Sequence, residues 1–211
     1  MAIRKIRISN FKSFENIEVE LGDFNILIGA NASGKSNFIQ VFRFLMDIPT
    51  HKLDNAISMQ GGVEYLRNIN IGSSKCLSLE IVSDNKFARY GRVLKTKAKE
   101  PMGMEVYETI YKFAIKFNKR GSGYEINEDK LTQRINIVKF KIHKKKIEER
   151  KKIGQGEMVF SNIKGRLNTD LKLQEGLPIE KDDIIPRFLR DFKFGHKNLA
   201  YRTSLHFLTS F

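Results

Sequence analysis

The chain has 211 residues, 41% of them apolar and 29% charged, with 38 Lys and Arg against 24 Asp and Glu for a net charge of +14. That length suffices for one substantial core or two small lobes, and no apolar run approaches a membrane span or a secretory leader, so the expectation is a globular cytoplasmic protein without a membrane partner. The single cysteine, Cys76, excludes an internal disulfide and a Cys-rich zinc site, while the basic surface attracts polyanions such as nucleic acid without selecting one.

In chain order, Ile6 and Ile8 alternate with Arg7, and Ile17, Val19 and Leu21 alternate with Glu18 and Glu20. This period of two predicts two half-buried strands joined by the turn-forming "SNFKSFEN", with Phe11 and Phe14 as anchors. "FNILIG", residues 24–29, reads as a short strand covered on both faces. Residues 37–48 carry apolar groups at 38, 39, 41, 42, 44, 45, 46 and 48, which predicts a helix buried on most sides. A polar stretch containing Gly61 and Gly62 comes next, then a short helix in "VEYLRNI" and a turn in "NIGSS". From residue 76 to 142, runs of strand-like composition separated by polar or Gly-containing turns predict an antiparallel β-meander. "KFKIHKKKIEERKK", residues 139–152, reads as a strand end running into a charged, solvated helix or loop, or as a polyanion contact. Beyond it the expectation is a mixed helix and loop segment, with a short helix near Pro186–Phe192. The division expected is therefore 1–75, a phosphate-binding lobe; 76–142, a β-rich subdomain; and 143–211, a basic C-terminal segment.

The chemistry lies in Gly29-Ala30-Asn31-Ala32-Ser33-Gly34-Lys35-Ser36, which fits the phosphate-binding loop G-x-x-x-x-G-K-[ST]. Gly29 lets the chain turn sharply, and Gly34 takes backbone angles closed to other residues. Backbone N–H groups from Asn31 to Asn37, with the positive end of the following helix, would cradle a β-phosphate. Lys35 would reach the β- and γ-phosphates, and the Ser36 hydroxyl would ligate Mg²⁺.

"IRKIRISNFKSFENIEVEL" followed by "FNILIGANASGKSNFIQVFRFL" resembles the N-terminal lobe of RecF, SMC and OLD type ABC-like ATPases, including the predicted ATPases labelled AAA. The likeness covers residues 1–75 and extends to "DNAISMQGGVEYLRNI" at 54–69. It implies an α/β P-loop NTPase lobe of the ABC-like class with an antiparallel β-rich subdomain, ATP and Mg²⁺ as ligands, and ATP hydrolysis coupled to dimerisation on or near DNA. It also implies that Lys12 lies near the nucleotide and Asn31 beside the phosphates.

Hydrolysis in such families also uses an apolar strand ending in Asp-Glu and a signature helix from the opposing protomer. Four apolar residues followed by Asp-Glu do not occur in this chain. "FLMD", ending at Asp47, falls within the predicted helix; "EIVSD", ending at Asp84, lacks the Glu; and "ISMQGG" at 57–62 has the wrong order for a signature. Asp182 and Asp183 remain as acids to test, and Gln60 and Gln133 as candidates for a Mg²⁺-sensing glutamine. The histidines at 51, 143, 196 and 206 suggest no metal site. The catalytic acid is thus unassigned, and the apolar ending "TSLHFLTSF" fits a larger fold completed by a C-terminal lobe, by a second polypeptide or in a homodimer. The rival expectation is a nucleotide-gated nucleic-acid or protein interaction module without turnover of its own.

Overall fold

A computed structural model describes residues 2–84, 92–94, 101–118, 122–143, 146–163, 166–180 and 184. Its frame is one antiparallel sheet of eight strands: β1 (Ala2–Phe11), β2 (Phe14–Glu20), β3 (Leu77–Asp84), β4 (Arg92–Leu94), β5 (Met102–Phe117), β6 (Tyr124–His143), β7 (Lys146–Ile163) and β8 (Arg166–Leu173). The spatial order is β2-β1-β3-β5-β6-β7-β8, with β4 on β5. The helices of the described residues, α1 (Lys35–His51), α2 (Leu53–Met59) and α3 (Val63–Leu66), fall between β2 and β3 in the chain. None of them is long and apolar enough to cross a membrane.

The alternation of the strand sequences decides which face they bury. Ile6 and Ile8 of β1, Leu77 and Leu79 of β3, Tyr111 and Phe113 of β5, and Leu131 and Ile135 of β6 are buried together. α1 packs on this face through Phe38, Val41, Phe44, Leu45 and Ile48, spaced at three to four residues as a helical stripe requires. The Phe44 ring lies 6.1 Å from that of Phe11 and 6.4 Å from that of Phe113, joining helix, first strand and central strand. Each such side chain contributes about 1.5–3 kcal/mol by leaving water. The opposite face is a lattice of cross-strand charges. Arg7 of β1 bonds Glu18 of β2 and Glu80 of β3, Lys112 of β5 reaches Glu80 at 3.1 Å, and Arg134 of β6 bonds Glu108 of β5 at 2.6 Å. Such exposed pairs stabilise little individually, but each favours the register that buries the apolar set.

The first two strands and the short helix at 63–66 agree with the sequence reading. Several expectations are corrected. "FNILIG" is not a strand: residues 24–30 lie outside regular structure, and Phe24, Ile26, Leu27 and Ile28 are 83%, 69%, 44% and 89% exposed. Apolar composition suits a central strand, but a strand also needs a neighbour to pair with, and none is present among the described residues. α1 is amphipathic rather than buried on most sides, for Ile39 and Met46 face outward. Residues 53–59, within the stretch read only as polar, are α2. Of the charged stretch 139–152, residues 139–143 belong to β6 and 146–152 to β7 rather than to helix or loop, and β7 and β8 extend the sheet through residue 173. Within 139–152, Lys141, Glu149, Arg150, Lys151 and Lys152 are exposed. Cys76 is free and half-buried immediately before β3. The helix expected near 186–192 lies outside the described residues.

Candidate nucleotide-binding site

The loop from Gly29 to Ser36 closes on itself. The Lys35 ammonium donates to the carbonyl oxygens of Gly29 at 2.7 Å and Ala30 at 2.6 Å, and lies 3.4 Å from Ser33 Oγ, so the lysine of the motif bridges its opening residues. A turn bond from Ser33 N–H to Ala30 C=O tightens the loop. Ala32 and Gly34 are both left-handed, with φ of 63° and 94°. For alanine this conformation is costly, and left-handed residues alternating along a loop turn successive N–H groups toward one concavity, which suits an anion. Gly29 has a different reason from the one its place in the motif suggests. It ends no strand, but a Cβ there would come within 2.9 Å of Ser33 Oγ.

Helix α1 begins at Lys35 with Gly34 as its cap residue, no side-chain cap and no acidic residue in the first turn. Its first ladder bond runs from Phe38 N–H to Gly34 C=O at 2.9 Å, so the N–H groups of Lys35, Ser36 and Asn37 lie ahead of the ladder. A natural sequence usually answers such orphan donors with Ser, Thr, Asp or Asn. Leaving them open beside a lysine produces a concentrated positive end suited to phosphate. The Ser36 hydroxyl is exposed, as an oxygen donor to a hard cation would have to be.

Of the remaining residues singled out from the sequence, Asn31, Ala32 and Ser33 form the exposed crest of the loop, and Asn37 sits one turn inside. Lys12 occupies the two-residue turn between β1 and β2 with φ of 48°. It is half-buried; burial lowers its pKa from the usual lysine value, and its ammonium lies 5.9 Å from the Phe11 ring centroid. The next two residues meet the loop directly. Asn37 Nδ2 donates to Ser13 Oγ at 2.8 Å, and Gly34 faces both Ser13 and Phe14 closely enough that an added Cβ would stand 3.1 and 3.2 Å from them. Ser13 and Phe14 were not legible as part of the site, because nothing local announces an approach between residues some twenty apart.

No carboxylate among the described residues pairs with Lys35 or Ser36. Asp47 lies within α1, and Asp84 at the end of β3 accepts from Arg4 Nε at 2.5 Å, which gives it a structural partner. Gln60 ends α2, and Gln133 is buried in β6 opposite Thr109 of β5. "ISMQGG" forms the end of α2 and a turn in which Gly61 and Gly62 take φ of 97° and 105°. No cluster of His, Cys, Asp and Glu among the described residues could hold a metal. Asp182, Asp183, His196 and His206 lie outside the described residues.

Comparison with known proteins gives the chain a family and distant relatives. Residues 1–196 match the family described as the AAA ATPase domain. The chain is 28% identical over 109 residues to the DNA replication and repair protein RecF of Bacillus mycoides, covering 49% of this chain and 29% of that one. It is 28% identical over 125 residues to the DNA double-strand break repair Rad50 ATPase of Sulfolobus acidocaldarius, covering 50% and 14%. A third similarity, 40% over 47 residues, is to the endonuclease GajA of Bacillus cereus, covering 22% and 8%. The chain therefore spans less than a third of the length of each of these relatives. The match along nearly the whole chain shows that it belongs to the AAA ATPase domain family, with RecF and Rad50 proteins among its relatives.

Proposed function

We propose that this chain is the ATP-binding part of a RecF/SMC-like ATPase, an α/β P-loop lobe of the ABC-like class with a β-rich extension. The observation that carries the reading is the uncapped start of α1: three N–H groups ahead of the helical ladder, left-handed Ala32 and Gly34 before them, and Lys35 folded across the loop. In this reading the backbone from Asn31 to Asn37 holds the β-phosphate, Lys35 contacts the β- and γ-phosphates, and Lys12 flanks the nucleotide. Ser36 Oγ is the chain's own oxygen for Mg²⁺, which when bound would neutralise charge building on the phosphates.

Hydrolysis needs an acid that the described residues do not bring to Ser36, so we assign it to a further lobe, a second polypeptide or a partner in a homodimer. The bare segment 24–28 supports this. It is largely apolar, makes no backbone bond to a neighbouring strand among the described residues, and borders a groove of about 710 Å³ lined by Leu21, Leu27, Phe38 and Ile39 together with Asp23 and Asn25. Exposed apolar surface of this kind marks an interaction site. The names of the RecF and Rad50 relatives refer to DNA replication and repair, and we extend DNA as a partner to this chain, working in the cytoplasm.

The test is ATP binding and phosphate release by the purified chain with Mg²⁺, beside Lys35→Ala. Loss of a charge-assisted contact should weaken ATP binding about 10- to 150-fold; unchanged affinity in the variant would reject the site. A second reading, a nucleotide-gated interaction module without turnover, is favoured by the absence of a carboxylate at Ser36 among the described residues. Lys35-dependent binding without phosphate release by the chain alone is expected on both readings; release restored when a further lobe or partner supplies the acid selects the ATPase, and release still absent then selects the module.

A further inference from the structure

The turn between β1 and β2 is pinned at both ends. On one side, the wholly buried Asn10, left-handed at φ of 51°, donates from Nδ2 to the carbonyls of Gly72 at 3.1 Å and Lys75 at 2.8 Å and accepts from Asn68 N–H at 2.9 Å. Lys12 N–H donates to Leu66 C=O at 2.7 Å. On the other side, the Phe14 ring meets Phe38 of α1 edge-on at 6.5 Å, and Ser13 Oγ accepts from Asn37 Nδ2 at 2.8 Å. The turn is thus a fixed wall against which the start of α1 is set, and Gly34 fits the space left between them.

Asn37 is the third residue of α1. A polar side chain at that position can reach back to an N–H of its own helix start, as Glu or Gln does in a capping box. Here it is turned aside by Ser13, and the N–H groups remain open. We propose that Ser13 is a positioning residue of the nucleotide site: by holding Asn37 it keeps the first turn of α1 open to phosphate, and so sets the affinity for the nucleotide rather than the stability of the fold. This rests on the proposed ATP site and adds a residue to it outside the loop motif.

The experiment measures the dissociation constant for ATP with Mg²⁺ on the full chain by calorimetry, together with the melting temperature, for wild type, Lys35→Ala, Ser13→Ala, Ser13→Thr, Asn37→Ala and the double variant Ser13→Ala with Asn37→Ala. Ser13→Ala should bind about 3- to 10-fold more weakly, in line with one net hydrogen bond, with its melting temperature unchanged. Ser13→Thr, which keeps the acceptor, should bind as wild type, and the double variant should be no weaker than the weaker single. Wild-type affinity in Ser13→Ala, additive losses in the double variant, or a loss that threonine does not restore and that follows a falling melting temperature would each overturn the proposal. If wild type itself shows no Lys35-dependent binding, the ATP site fails and this inference with it. If it does and Ser13→Ala matches wild type, this inference alone fails.

Discussion

Asp129 is the one carboxylate of β6 that the fold takes out of water. It is 2% exposed on the buried face, accepts from Tyr111 Oη at 3.1 Å through Oδ1, and holds Oδ2 away from solvent as well. Burial disfavours the charged form and raises its pKa to about 6 from 3.8, while hydrogen bonds from Tyr111 and Asn162 pull it back only in part. The folded protein holds this proton more tightly than the unfolded chain, so the stability it contributes is full below about 4 and is lost as pH rises through 6. The difference amounts to about 3 kcal/mol at neutral pH and above. Asp129→Asn keeps an acceptor for Tyr111 and removes the ionisation. Chemical denaturation at pH 8 should find the variant more stable than wild type by up to that amount, with the gain vanishing near pH 4. An equal difference at both pH values would mean that packing, not ionisation, governs this position.

At the level of elements, the edge of the sheet shows why a sequence rich in charge still forms strands. β7 carries Gly154 and Gly156, and their lack of a side chain lets β8 and the residues after it lie close. A Cβ on Gly156 would stand 2.8 Å from the Lys172 carbonyl oxygen of β8 and 2.7 Å from Leu173 Cδ2, whereas the nearest atoms to one on Gly154 all belong to the side chain of Leu177. A flexible side chain yields and a paired backbone does not. Gly156→Ala should therefore cost about 1–3 kcal/mol, read as a fall in the urea midpoint, and Gly154→Ala clearly less; the reverse order would mean that β8 is free to shift. The same contrast between local and distant causes explains what could be read beforehand. Strands β1 and β2 were legible because Ile6, Ile8, Ile17 and Val19 alternate with charges within a few residues, and the phosphate loop because its spacing is wholly local. Residues 139–173 misled because Lys141 and Glu149, or Arg134 and Glu157, cancel only across strands once the register is known. "FNILI" misled for the opposite reason: its composition suits a buried strand, and composition does not reveal whether a neighbour is there to bury it.

Over the whole molecule the charge is divided unevenly. Residues 1–84, which hold the loop 29–36 and α1 to α3, contain nine Lys and Arg against nine Asp and Glu, whereas residues 85–211 contain 29 against 15 and so carry the entire surplus of +14. On the proposed reading, the loop would draw its anion by a local arrangement of N–H groups and one lysine rather than by a surplus of charge on its own half of the chain. The surplus belongs to the β-rich half, where Lys151 and Lys152 of β7 stand exposed. A polyanion attracted there releases counterions, so affinity should fall steeply as salt rises. With DNA as the partner, this separation gives a definite expectation. The full chain should bind duplex DNA with an affinity that falls linearly with salt on logarithmic axes. Lys151→Glu with Lys152→Glu should weaken binding and reduce that slope by about two, while Lys35→Ala should leave both unchanged in the absence of nucleotide. Fluorescence anisotropy over a salt series provides the measurement. A slope indifferent to the β7 lysines would remove this segment as the contact, and a loss of DNA binding in Lys35→Ala alone would mean that the polyanion and the nucleotide compete for one site.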